Sequence, residues 1–264
     1  ERMLIKNHAG EARLKKPQGH YITLTLPPLT DNALLQDKIK PLADELRALL
    51  PLEGLILVAG LGNSSITPDA LGPQAARQVL ATRHITGELA RSSGLEGLRP
   101  VAVLAPGVLG QTGIETSELM LGLVRQLHPA AVIVIDALAS RRLSRLGCTV
   151  QLSDTGISPG AGVGNARPRI DRAIMGVPVI GIGVPTVVDA ATLALDLLPG
   201  GDDGTETEDE RALREIIAPR GEEMMVTPRE IDLLIERAAR LVAMGINCAL
   251  QPSLTPAEVF SLVS

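Results

Sequence analysis

The chain has 264 residues, a formal net charge of −5 and 45% apolar residues, with one tyrosine, one phenylalanine and no tryptophan. This apolar share is typical of a folded globular protein and argues against intrinsic disorder. The absence of a basic footprint and the near absence of aromatic rings for base stacking argue against nucleic-acid binding. No apolar run reaches the roughly 20 residues that span a bilayer, so no membrane partner is expected.

The scarcity of aromatic residues limits what the core can be made of. Val, Ile, Leu and Ala must fill it, and they suit a parallel sheet covered by helices on both faces. The two cysteines, Cys148 and Cys248, lack metal-type spacing and are interpreted as small buried residues in a reducing cytoplasm.

The predicted elements alternate between strand and helix. Apolar alternation at 21–26 predicts an edge strand, and helical spacing follows over 31–50. Further strands are predicted at 55–60, 101–105, 132–135, 149–152 and 177–182. Further helices are predicted at 69–82, 115–127, 137–146 and 188–198. This order predicts an α/β protein, a three-layer αβα fold with a mostly parallel central sheet.

The C-terminal part is predicted to be helical. Residues 200–210 (GGDDGTETEDE) break the alternation and predict an acidic loop or a disordered insertion. The segment 227–230 (TPRE) has the pattern of a helix start, and this helix is predicted to end at Gly245. A second start signal at 255–258 predicts a last short helix. Without an internal repeat or linker, 1–264 is interpreted as a single domain.

Three polar clusters follow predicted strands, where sites gather in open α/β sheets. The first lies at 60–73 and includes Asn63, Thr67 and Asp69; the second is Asp136; the third begins at 153–156 (SDTG). A carboxylate that ends an apolar strand, as Asp136 does, lies at the rim of a low-dielectric core. If Asp69 faces the same crevice, the two carboxylates hold a proton between them and can act as general base and acid on water.

Other interpretations of these clusters remain open. Asp69 could be a helix N-cap and Asp136 an acceptor for backbone N–H groups, or the pair could hold a hard cation. The four histidines lie outside the clusters, so no transition-metal site and no cofactor are expected. The G-x-G at Gly60 and Gly62 does not complete a dinucleotide motif. The single Asp-Thr-Gly at Asp154 lacks the second copy that all-β aspartic proteases use.

The chain resembles the germination protease (spore protease) family along nearly its whole length. The matching segments occur in family order: 16–24 (KPQGHYITL), 60–63 (GLGN), 67–73 (TPDALGP), 82–84 (TRH), 105–117 (APGVLGQTGIETS), 135–139 (IDALA), 153–156 (SDTG), 181–189 (GIGVPTVVD) and 225–232 (MVTPREID).

The resemblance implies an endopeptidase that degrades small acid-soluble spore proteins at germination, in the cytoplasm of the spore core. It also implies a self-processing zymogen, a homotetramer, and a fold similar to that of hydrogenase-maturation peptidases. Asp69 and Asp136 match the proposed catalytic pair of the family. Two departures are a shortened insertion at 202–210 and Ser158, where family members tend to carry histidine.

The sequence thus predicts an aspartic-type endopeptidase with Asp69 and Asp136 as catalytic residues. Residues predicted to orient the pair or bind substrate are Asn63, Thr67, Asp154, Gly156 and Asp189. Two alternatives remain: a metal-recognising peptidase of the hydrogenase-maturation type, and a non-catalytic spore binding protein on the same scaffold.

Overall fold

A computed structural model of the chain describes residues 1–31, 36–165, 167–197, 212, 216 and 224–263. Within these ranges eight strands form one sheet: β1 Arg2–Ile5, β2 Gly19–Thr25, β3 Ile56–Gly60, β4 Val101–Leu104, β5 Ala131–Ser140, β6 Thr149–Ser153, β7 Val179–Asp189 and β8 Met225–Val226.

The described helices are α1 His8–Leu14, α2 Gln36–Leu49, α3 Leu71–Ala76, α4 Gly87–Ser93, α5 Leu109–Thr112, α6 Thr116–Leu127, α7 Arg172–Met175, α8 Ala190–Asp196, α9 Ile231–Leu250 and α10 Pro256–Val263. Short 3-10 turns lie at Thr67–Asp69, Leu143–Arg145 and Ala161–Val163. The acidic segment 200–210 lies outside the described residues, so its predicted loop stays a prediction. None of the helices in the described ranges has the length and apolarity to cross a bilayer.

The strand order is β1-β2-β6-β7-β5-β3-β4, with β8 paired to the end of β7. Strands β7, β5, β3 and β4 are parallel, whereas β1, β2, β6 and β8 pair antiparallel with their neighbours. The α/β class and the parallel centre of the sheet are therefore confirmed. The antiparallel half was not predicted.

Two apolar layers cover the sheet. On one face, α2, α3 and α9 pack against side chains such as Ile133 and Ile182. On the other face, α6 and α7 pack against side chains such as Val132 and Val134. Because side chains alternate along a strand, Asp136 lies on the α6/α7 face with Val132 and Val134. This is the three-layer arrangement that the sequence predicted.

Three local predictions are wrong. The segment 137–146 is not a helix, because β5 continues to Ser140 in register with β7. The strand at 21–26 is not at the sheet edge, because β1 pairs with β2. Helix α9 does not end at Gly245 but continues to Leu250. A Cβ at Gly245 would lie 2.5 Å from Leu42 Cδ2, so this glycine allows α2 to pack closely against α9.

Candidate active site

Asp136 lies where the fully buried stretch of β5 ends. Residues Val132 to Ile135 are buried, and Asp136 itself is only 8% exposed. In the parallel ladder Asp136 is paired with Gly183 of β7. A carboxyl group at this position has lost most of its contact with water, which disfavours its ionised form.

Asp69 reaches the same edge of the sheet from the loop after β3. The N–H of Leu61 donates to the carbonyl oxygen of Ile135 (2.8 Å), so the loop starts directly beside Asp136. Asp69 then ends the 3-10 turn Thr67–Asp69, whose Thr67 carbonyl oxygen accepts the N–H of Ala70. The predicted helix 69–82 is thus a 3-10 turn followed by the short helix α3.

Backbone groups of the loop fix the Asp69 side chain. The backbone N–H of Asn63 donates to Asp69 Oδ2 at 2.7 Å. Gly62, between Leu61 and Asn63, has a φ of +116°, and a Cβ there would lie 2.0 Å from the Asp69 carbonyl oxygen. Only glycine allows this close approach without displacing the turn.

The two carboxyl groups are electrostatically coupled. Burial, with a further contribution from the negative charge of Asp69, raises the pKa of Asp136 to about 7, against a smaller lowering by the Ala137 N–H. Burial also raises the pKa of Asp69, while the hydrogen bond from Asn63 opposes this shift. The structure therefore brings together the two residues that the sequence paired, and Asp136 is still partly protonated near neutral pH.

Asn63 is held in turn by a residue that the sequence analysis did not single out. Its Oδ1 accepts the side-chain amide of Gln111 from α5 (2.7 Å) and the backbone N–H of Ser65 (2.9 Å). Gln111 lies within the segment 105–117 that resembles the family, but no chemical pattern there marked it. Gln111 thus stabilises the loop in which the Asn63 N–H donates to Asp69.

In the third polar cluster, Asp154 contacts His20 and not the aspartate pair. Asp154 Oδ1 accepts the backbone N–H of His20, and its Oδ2 contacts His20 Nδ1, both at 2.7 Å. Among the described residues, these contacts tie β2 to the loop after β6 and do not reach Asp69 or Asp136. Gly156 has a φ of +74°, and a Cβ there would lie 2.2 Å from the Ile170 carbonyl oxygen. The absence of a side chain thus allows the backbone at Gly156 to pass close to the backbone at Ile170.

Asp189 is likewise separate from the pair. It is the N-cap of α8, and its Oδ1 accepts the N–H of Thr192 at 2.7 Å while its Oδ2 accepts the Thr192 hydroxyl at 2.6 Å. Such capping stabilises the first turn of a helix. The structure thus gives Asp189 a local role at the end of β7.

A cavity of about 420 Å³ lies on the same face of the sheet as Asp136, although neither aspartate lines it. Gly183, the partner of Asp136, and Leu138, two residues further along β5, form one side of it. Polar side chains of β2 and β6 form another part of its wall, including Thr23, Gln151 and Ser153. Within the described ranges, no group of three or more His, Cys, Asp or Glu side chains is arranged to hold a metal ion.

Comparison with known proteins assigns the chain to a family. The family model described as "Germination protease" matches residues 1–199 and 202–261. This chain belongs to the germination protease family. The family is a peptidase family, so a protease of spore germination is the activity that membership supports.

Individual relatives are similar over most of their length. The chain is 43% identical to the germination protease of Caldanaerobacter subterraneus subsp. tengcongensis, over 99% of this chain and 87% of that protein. It is 40% identical to the germination protease of Clostridium acetobutylicum (98% and 87%) and 38% identical to that of Priestia megaterium (91% and 80%).

Among solved structures, the chain is similar to the [NiFe] hydrogenase maturation protease HycI from Thermococcus kodakarensis. The TM-score is 0.38 and the identity 17%, over 76% of this chain and 98% of that one.

Proposed function

We propose that this chain is an endopeptidase that begins the degradation of small acid-soluble spore proteins during germination, with Asp69 and Asp136 activating water. Membership in the germination protease family supports the peptidase activity and its setting. The observation that carries the mechanism is the raised pKa of Asp136, about 7, beside a second carboxylate. Two carboxyl groups that share one proton provide an acid and a base in one crevice.

The environments of the two aspartates assign their roles. Asp136 is almost fully buried and holds the proton, so it is the general acid. Asp69 accepts a backbone N–H from Asn63, which stabilises its ionised form, so it is the general base. An acid and a base with pKa values shifted toward neutrality suit proton transfer at physiological pH.

The reaction then needs no covalent intermediate. Asp69 removes a proton from water as the water oxygen bonds to the peptide carbonyl carbon, while Asp136 donates its proton to the carbonyl oxygen. The tetrahedral intermediate collapses when Asp69 passes its proton to the leaving nitrogen and Asp136 recovers one from a hydroxyl of the intermediate. The C–N bond breaks, and both aspartates return to their starting protonation states.

We assign the cavity on the same face of the sheet to a side chain of the peptide substrate. Leu138, on its wall, lies two residues from Asp136 on the same face of β5, which is about 7 Å along the strand. That distance equals about two residues of an extended peptide. A substrate with its scissile bond at the pair would place a nearby side chain in this cavity.

The remaining expectations from the family resemblance form part of the proposal. They are synthesis as a zymogen, assembly as a homotetramer, and action in the cytoplasm of the spore core without a cofactor. Sedimentation equilibrium tests the assembly, since a monomer at micromolar concentration would contradict a tetramer.

A cleavage assay tests the proposed activity. Purified wild-type protein is expected to cut small acid-soluble spore protein, whereas Asp69→Asn and Asp136→Asn are expected to lose this activity and keep the wild-type circular dichroism spectrum. Asp37→Asn, an exposed aspartate at the start of α2, is the matched control and should cut at the wild-type rate.

The same assay separates the alternative functions. Cleavage that requires added nickel and stops with a chelator would favour a metal-recognising peptidase. Binding of the substrate without cleavage at any pH would favour a non-catalytic binding protein. Full activity of Asp136→Asn would contradict the proposed mechanism.

A further inference from the structure

Strand β7 contains a bulge close to the aspartate pair. Its ladder with β5 pairs Leu138 with Pro185 and Ala139 with Val187, so Thr186 is an extra residue without a partner in β5. Proline has no N–H to donate to a neighbouring strand. Inside a sheet it is therefore tolerated mainly at irregularities such as this bulge. Bulges commonly re-aim one side chain next to an active site.

The Thr186 side chain contacts the turn that carries Asp69. Thr186 is fully buried, and its hydroxyl donates to the carbonyl oxygen of Pro68 at 2.8 Å. Pro68 is the residue directly before Asp69 in the 3-10 turn. The hydrogen bond therefore joins this turn to β7 at a point just beyond Gly183, the partner of Asp136.

The positions of both aspartates thus depend on contacts with the same strand, β7. Asp136 is fixed relative to β7 by the parallel ladder, through its pairing with Gly183. Asp69 is fixed relative to β7 by the bond from Thr186 to Pro68. We propose that Thr186 is a positioning residue that sets the separation of the Asp69 and Asp136 carboxyl groups. This inference rests on the proposed function, because it assigns Thr186 to the same site.

Substitutions at Thr186 test whether its hydroxyl group positions Asp69 or whether its side chain only fills space in the core. Thr186→Val keeps the shape and removes the donor, whereas Thr186→Ser keeps the donor and removes a methyl group. Thr82→Val is the matched control. Thr82 is a buried threonine whose hydroxyl donates to the Arg99 carbonyl oxygen at the opposite edge of the sheet.

The readouts are kcat and KM across pH, the thermal midpoint, and a carbon-13 NMR titration of the Asp136 carboxyl group. Thr186→Val is expected to lower kcat by about 10- to 100-fold with little change in KM, because small misplacements of reacting groups cost rate. Its Asp136 titration should shift to lower pH, since the Asp69 charge lies further away. Thr186→Ser should restore both values, and Thr82→Val should lower only the thermal midpoint.

Two outcomes would overturn the inference. One is equal loss of kcat in Thr186→Val and Thr186→Ser, which would assign the residue to packing. The other is a wild-type Asp136 titration in folded Thr186→Val. If the wild-type protein cleaves no spore protein, the proposed function fails, and the titration alone still decides the role of Thr186.

Discussion

The charge of Asp69 raises the pKa of Asp136. The effect adds to that of burial, and together they bring the pKa of Asp136 to about 7. The two residues come from different elements: Asp136 lies within β5, and Asp69 lies in the 3-10 turn that follows β3. Neither group needs a partner of opposite charge for this effect, because a buried carboxylate and a like-charged neighbour both favour the protonated form.

The first prediction concerns stability and pH. Between about pH 4 and pH 7 the unfolded chain ionises Asp136 while the folded chain keeps its proton, because the folded pKa of about 7 exceeds the ordinary aspartate value of 3.8. Unfolding then releases a proton, so this group makes the folded state less stable as pH rises. At about 1.4 kcal/mol per pKa unit the loss is at most roughly 4 kcal/mol.

Urea unfolding across this pH range measures the effect. The stability of Asp136→Asn relative to wild type should rise from pH 4 to pH 7 and then stay constant. The control Asp37→Asn should follow the wild-type curve. A difference between Asp136→Asn and wild type that does not change with pH would show that Asp136 titrates normally.

The second prediction concerns Gly62. A Cβ at this position would lie 2.0 Å from the Asp69 carbonyl oxygen, and the φ of +116° is strained for any other residue. Gly62→Ala should displace the turn, lower stability by roughly 1–3 kcal/mol and reduce cleavage at least about tenfold.

Gly122→Ala is the control for this substitution. Gly122 lies within α6 with open space around its Cα, so alanine there should leave cleavage unchanged and stabilise the helix by up to about 1 kcal/mol. Wild-type cleavage by Gly62→Ala would mean that the loop does not fix Asp69.

The third prediction concerns Asp154, which begins the Asp-Thr-Gly triplet. Both of its oxygens contact His20, on a partly exposed surface. Asp154→Asn should therefore lower the thermal midpoint slightly, by the equivalent of about 1 kcal/mol or less, and leave kcat near the wild-type value. A loss of kcat as large as that of Asp69→Asn would instead assign the triplet to the chemistry.

The sequence predicted Asp136 well because its position depends on a local pattern. The buried apolar residues Ala131 to Ile135, followed by a carboxylate, place that group where the buried part of the strand ends, although β5 itself continues to Ser140. Asp69 required the second assumption that β3 and β5 are neighbours, which holds in the structure. Local patterning therefore sufficed for the pair once the fold class was known.

Other features depend on long-range packing and could not be predicted locally. The residues after Asp136 have good helix propensity, yet pairing with β7 keeps them in β5 to Ser140. Glycine is common just after the end of a helix, which is why the helix was predicted to end at Gly245. In the structure Gly245 lies inside α9, where it leaves room for the side chain of Leu42. The bulge at Thr186 is signalled only by Pro185 within an apolar strand, and its bond to Pro68 spans 118 positions of sequence.

The most direct test is a carbon-13 NMR titration of the Asp136 carboxyl group in the wild-type protein and in Asp69→Asn. We expect an inflection near pH 7 in the wild type, and a lower inflection in the variant that remains above 3.8 because burial persists. An Asp136 carboxyl that titrates near pH 4 in the wild type, or one whose titration is the same in both proteins, would contradict proton sharing between the two aspartates.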